Sequence, residues 1–199
     1  LDDAFQHRKV TAGFYVLLTK YDDLYTDDFL LPAGNLREAR SGAKRADVIV
    51  VTKCPKNLSV EKQEEVVKKI NPNNTQQVYF TSITYTDEVY GNGSAISLQE
   101  LGTDITLVTG IANPKPLLEY LKTKRIKFEH LEFKDHHNFS DKELKSLSEK
   151  KVILTTEKHY MRLRDTLTNV YYIPIKSVFI DNGDSFDNKV QAFIKEKRS

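Results

Sequence analysis

One cysteine, Cys54, is all the thiol chemistry in these 199 residues. It cannot form an internal disulfide, it suits a reducing compartment, and beside Pro55 it reads as a packing residue. Glycine and proline are scarce, at 8 and 6, and with 39% apolar and 29% charged residues the composition excludes collagen-like repeats and disorder. No apolar run approaches the ~20 residues that a bilayer-spanning helix needs, so any membrane contact is expected to be peripheral. Charge of one sign is lacking too: 30 basic side chains face 28 acidic ones, and a net charge of +2 leaves little long-range field to attract nucleic acid. Neither an initiator Met nor a leader precedes Leu1-Asp2-Asp3, and we read the chain as a piece of something longer.

What is present reads as alternating strands and helices, the pattern of an α/β fold. Phe14-Tyr15-Val16-Leu17-Leu18 and Val48-Ile49-Val50-Val51 have the short, β-branched, unbroken character of buried parallel strands. Leu36 to Arg45 is expected as a helix between them. Ser59 caps a helix that continues over Lys62 to Ile70 and is stopped by Asn71-Pro72-Asn73-Asn74. Val78 to Thr86 reads as a strand leaving a first lobe, 1–86, and 87–102 as a linker or hairpin around Gly91-Asn92-Gly93-Ser94. A second lobe, 103–199, follows. Its strands are Ile105–Thr109, Lys127–Phe133, Val152–Thr155 and Val170–Ile173. Its helices are Lys115–Lys124, Ser140–Glu149, Glu157–Thr166 and a terminal one near Phe186–Lys197.

Four polar segments carry candidate chemistry. Asp2-Asp3-Ala4-Phe5-Gln6-His7-Arg8 gathers two carboxylates, an amide and an imidazole ahead of a strand. Carboxylates so placed can hold Mg²⁺ in a nucleotide site, the plain alternative being a solvated terminus. Leu30-Leu31-Pro32-Ala33-Gly34-Asn35-Leu36-Arg37-Glu38 runs through a turn that can present N–H groups and a guanidinium to an anion, or can simply be a capping box of Asn35 and Glu38. Asp135-His136-His137 follows a strand, where an imidazole can relay a proton; Ser140 capping the next helix is the plain reading. Zinc is disfavoured, for lack of a second cysteine and of a helix-spaced histidine pair. Finally Thr156-Glu157-Lys158 opens a helix on which Lys158 and Arg162 share a face, suited to phosphate or to water.

Taken in order, these segments, together with Ala46-Asp47-Val48-Ile49-Val50-Val51-Thr52-Lys53 and Thr109-Gly110-Ile111-Ala112-Asn113-Pro114, resemble the tetraacyldisaccharide 4'-kinase (lipid A 4'-kinase) family, over Asp2 to about Lys195. The resemblance implies the C-terminal part of a partial P-loop NTPase-like lobe, joined by a β-stranded linker to a smaller α/β lobe. It implies transfer of the γ-phosphate of ATP to the 4'-hydroxyl of a tetraacyldisaccharide 1-phosphate lipid, with Mg²⁺, at the cytoplasmic face of a bacterial inner membrane. Peripheral membrane contact is then expected through the missing N-terminal part. By resemblance Asp2 and Asp3 belong to the metal and nucleotide, His136 assists a catalytic aspartate, and Arg37 and Glu38 contact the substrate.

The chain also departs from that family's pattern. No G-x-x-x-x-G-K-S/T segment occurs, so the ATP phosphates lack their cradle, and the Gly-Asp-Glu-Pro segment with the presumed base is absent as well. Ala4 stands for a glycine, His159 for an aspartate, and Asp23-Leu24 for Arg-Pro. The expectation is an inactive piece of a kinase. The alternative, from another class, is a non-catalytic binding or regulatory module on the same scaffold; an unrelated doubly wound enzyme is a third reading.

Overall fold

The structure, a computed structural model, describes residues 3–7, 9–91, 93–135 and 137–198. In chain order the elements are β1 (Val16–Lys20), β2 (Val48–Thr52), α1 (Val60–Ile70), β3 (Gln77–Tyr85), β4 (Glu88–Gly91), β5 (Ser94–Ser97), β6 (Ile105–Thr109) and α2 (Lys115–Thr123). They continue with β7 (Phe128–Glu132), α3 (Asp141–Ser148), β8 (Val152–Thr156), α4 (Glu157–Leu163), β9 (Val170–Ile173), β10 (Ile175–Phe179) and α5 (Gly183–Arg198). The chain is thus mixed α/β, as its pattern predicts. It forms two compact units, Leu1–Thr84 with Ser177–Ser199, and Tyr85–Lys176.

The first unit is built on a sheet of order β1-β2-β3-β10 in which β1, β2 and β3 run parallel. Strand β2 is buried on both faces because its alternate side chains serve two cores. Ile49 and Val51 pack with Val66 and Ile70 of α1, Cys54 and Phe80. Val48 and Val50 pack with Tyr79, Phe14, Phe179 and Phe186. Helix α1 begins where Ser59 accepts from the Lys62 amide, and it ends on Asn71 in the left-handed conformation.

The second face of this sheet explains why the terminal helix belongs here and not with the second lobe to which 103–199 was assigned. Phe186 of α5 meets Tyr79 at 5.3 Å and Phe193 meets Phe14 at 5.4 Å. Lys189 Nζ reaches the Asp47 and Thr75 carbonyls at 3.3 and 3.4 Å. Such pairings span most of the chain's length, and no local pattern announces them.

The second unit has the sheet order β5-β4-β9-β8-β6-β7, with β9, β8, β6 and β7 parallel. Ile105, Leu107 and Leu154 face Leu117 and Leu121 of α2. Val108 and Ile153 face Leu147 of α3 and Leu163 of α4. Within 87–102, expected as linker or hairpin, β4 and β5 pair antiparallel and extend this sheet through Tyr90 opposite Tyr172. Because β7 and β8 lie on either side of β6, the chain reverses its direction of winding at the carboxyl ends of β6 and β8.

Two further expectations change. Leu36–Arg45 is no α-helix: only Arg40–Arg45 coils, as a 3₁₀ turn, after a loop in which Leu30 bridges Leu36. Asn35 caps nothing there, its amide donating to the Asp28 carboxylate at 3.1 Å, and Glu38 pairs with Arg45 instead of reaching back. Strand β1 lies at the end of its sheet with Leu18 62% exposed, so it is not the buried strand its apolar run suggested.

Candidate functional site

Asp3 takes a left-handed backbone at φ 46°, and the tight turn that follows is closed by the His7 amide on the Ala4 carbonyl at 2.9 Å. The turn presents the Asp3 carboxylate to Arg37, whose Nη2 lies 2.5 Å from Oδ1. Hydrogen bonding and charge from Arg37 hold the Asp3 carboxyl below the usual carboxylate range, so it is ionised throughout the neutral region. Two predicted site residues separated by 34 positions therefore meet.

Glu38, expected at the substrate, faces a different group. Its carboxylate takes Arg45 in a two-pronged pair, Nη2 to Oε1 at 2.8 Å and Nη1 to Oε2 at 3.1 Å. The same Arg45 donates Nη2 to the Phe5 carbonyl at 2.9 Å and lies 4.8 Å above the Phe5 ring. Glu38 and Arg45 thereby fasten the turn that carries Asp3. Beside them a groove of about 450 Å³ runs between Phe5, His7, Tyr15, Gly42 and Arg45.

The Leu-Pro-Ala-Gly loop already holds an anion, and it is internal. The Asp28 carboxylate accepts from the Phe29 amide at 2.7 Å and from the Asn35 amide, which together hold its pKa below the usual carboxylate range. A Cβ at Gly34 would collide with Asp28 Oδ1 and the Phe29 carbonyl, so only glycine fits this turn. Of the N–H groups read from sequence as open to a ligand, that of Asn35 is thus engaged by Asp28, whose role no spacing rule signals, and those of Leu31, Ala33, Gly34 and Leu36 donate to carbonyls of the same loop.

In the second unit, the segment between β7 and α3 holds the remaining candidate. Asp2 and His136 both lie outside the described residues. Asp135 Oδ1 is 2.7 Å from Lys158 Nζ, and the His137 carbonyl accepts from Arg162 Nη1 at 2.8 Å. His137 Nε2 sits 3.1 Å from Glu143, which completes a capping box with Ser140. Ser140's amide and hydroxyl, then His137, pull the Glu143 carboxyl down to about 2. Lys158 and Arg162, read as partners for phosphate, are turned toward protein groups.

His159 is fully buried, and among the described residues neither ring nitrogen has a hydrogen-bond partner. Burial, reinforced by Arg162 and Lys158, pushes its pKa down, so the ring is neutral. Its edge presses on the turn after β6 so tightly that a Cβ at Gly110 would strike Cε1. Cys54 is buried as expected, and desolvation raises its thiol to about 11. Among the described residues no group of three or more metal-ligating side chains gathers, and no helix is long and apolar enough to cross a membrane.

The sequence model of the family described as Tetraacyldisaccharide-1-P 4'-kinase, LpxK, matches residues 1–195. The chain belongs to that family. Among relatives, it is 54% identical to the tetraacyldisaccharide 4'-kinase of Flavobacterium johnsoniae, over 98% of this chain and 59% of that protein. The tetraacyldisaccharide 4'-kinase of Flavobacterium psychrophilum is 46% identical over the same shares. The chain spans about three-fifths of the length of the curated relatives it matches. The crystal structure of LpxK from Aquifex aeolicus in complex with ATP superposes with a TM-score of 0.66 at 24% identity, covering 98% of this chain and 56% of that one. That likeness establishes the LpxK fold for these residues.

Proposed function

We propose that this chain is part of an ATP-dependent kinase that phosphorylates the 4'-hydroxyl of a tetraacylated glucosamine disaccharide 1-phosphate in lipid A synthesis, and that it does not turn over alone. The observation that carries the proposal is the family match across 1–195, joined to the meeting of Asp3 with Arg37. Asp3 fits Mg²⁺, a hard cation that takes one or two carboxylates and completes its shell with phosphate oxygens and water. Asp2 and Asp3 would hold the ion, which when bound neutralises charge on the ATP phosphates. Arg37, paired with Asp3 in this structure, then offers its planar fork to a phosphate or to the substrate. Glu38 acts through Arg45 on the acidic turn, which places its influence on the substrate at one remove. His136 assists proton removal from the sugar hydroxyl beside an aspartate that the chain itself lacks. The site of action in this reading is the cytoplasmic face of the inner membrane, reached by peripheral contact through residues outside the chain.

Phosphoryl transfer requires cradle, cation and base together, and no G-x-x-x-x-G-K-S/T segment is present. The test is transfer of labelled γ-phosphate to the tetraacyldisaccharide. The 199-residue chain is expected to show none, and a protein joining it to the remaining part of the F. johnsoniae relative is expected to be active and to lose activity on Asp3→Asn. Turnover by the chain alone overturns the proposal. A folded but inactive joined protein favours the non-catalytic binding or regulatory module.

A further inference from the structure

Lys158 and Arg162 stand four residues apart on α4 and both reach the segment between β7 and α3. Lys158 takes the Asp135 carboxylate at 2.7 Å, and Arg162 takes the His137 carbonyl at 2.8 Å. The two held residues are the chain neighbours of position 136 on either side. Beyond them, His137 is fixed by Glu143 and flanked by the Phe133 and Phe139 rings at 4.8 and 5.2 Å. Helix α4 is a firm base, since Leu163 and His159 on its inner side are fully buried.

The Lys158–Asp135 pair adds little to the stability of the unit. The Lys158 and Asp135 side chains are 39% and 44% exposed, and pairs at such exposure contribute at most about 1 kcal/mol. What such contacts do set is the position of the segment. Misplacing a reacting group by one ångström costs up to about 100-fold in rate.

We propose that Lys158 and Arg162 are positioning residues for phosphoryl transfer: they hold the residues on either side of His136 and act on the rate without binding ATP or lipid. This rests on the role given to His136 under Proposed function.

The test has two arms. In the 199-residue chain, amide hydrogen exchange is measured for wild type, Lys158→Met and Arg162→Met. Exchange over 135–139 is expected to rise about tenfold, while Leu107 and Val108 of β6 stay protected and certify folding. In the protein joined to the F. johnsoniae remainder, each variant is expected to lower kcat about tenfold with KM for ATP and lipid within about twofold, and Lys158→Arg is expected to recover most of the rate. Unchanged exchange, or a raised KM with kcat intact, overturns the proposal, the latter returning both cations to phosphate binding. His136→Ala separates the two readings. Loss of kcat there with none in Lys158→Met overturns positioning alone, whereas undiminished kcat in His136→Ala overturns the role of His136 and the catalytic part of this proposal with it.

Discussion

Strand β7 ends the second sheet with Phe-Glu-His-Leu-Glu, whereas β1 ends the first with Val-Leu-Leu-Thr-Lys, and the two margins meet water on different terms. On β7, Glu129 pairs with Lys150 at 2.7 Å, and its charges blunt the open backbone. On β1, Leu18 stands in solvent, and Phe29, Leu30 and Leu31 of the same unit are exposed as well. The second unit thus spends nearly all of its large apolar side chains internally, while the first leaves a stretch of apolar surface of the kind that proteins cover. The difference teaches that the two units expose unlike margins, and it leads to the expectation that they unfold separately.

The largest effect should come from Leu154→Ala, which removes a fully buried side chain between β6 and α2 and is expected to cost about 2–5 kcal/mol. Denaturant unfolding followed by far-ultraviolet circular dichroism should show that loss in the second unit alone. The Cys54 thiol, buried in the first unit and raised to about 11, should keep its native resistance to a thiol reagent. If Cys54 becomes reactive at the same denaturant concentration at which the second unit opens, the units are not separate.

Gly110→Ala should be next, at about 1–3 kcal/mol, because the added methyl meets the His159 ring in a packed interior. Replacing His159 by a smaller residue in the same chain should recover part of that loss in the same melt.

Acid should separate the units more gently. The buried neutral His159 has a folded pKa below the unfolded value of about 6.5, so the unfolded chain binds the extra proton first. Its contribution is therefore complete above that value and is lost as pH falls from there toward the depressed folded pKa. The melting temperature of the second unit should fall over this window, and the slope should vanish in His159→Asn; a slope that persists assigns the acid response to another group.

The smallest effect on stability belongs to Leu18→Lys on the exposed margin, expected within about 0.5 kcal/mol of wild type. Light scattering should nevertheless show less self-association at high protein concentration, and identical scattering would mean that the β1 margin is not the adhesive one.

Short-range physics was legible in the residues, and long-range pairing was not. Ser59 with Asn71, and Ser140 with Glu143, delimit α1 and α3 because capping depends on residues within one turn. The apolar runs of β2, β6 and β8 announce buried parallel strands for the same reason. The stretch from Leu36 to Arg45 misled because Asn35 and Glu38 have the spacing of a cap, yet each finds a stronger partner in Asp28 and Arg45. Strand β10 carries no pattern of its own, with four of its five residues exposed, and is held by its neighbour β3. Of the candidate site, the ordered motifs single out Asp3 and Arg37 but not their pairing, and the contacts of Arg45, Lys158 and Arg162 depend on partners that sequence spacing does not name.

The first unit is discontinuous in sequence, its sheet lacking its last strand and one covering helix until the chain has passed β9. During translation, then, the inserted second unit is complete and free to fold while β1, β2 and β3 still wait with one face bare. A premature stop codon shortly after β9 would spare the second unit and leave β1, β2 and β3 without β10 and α5.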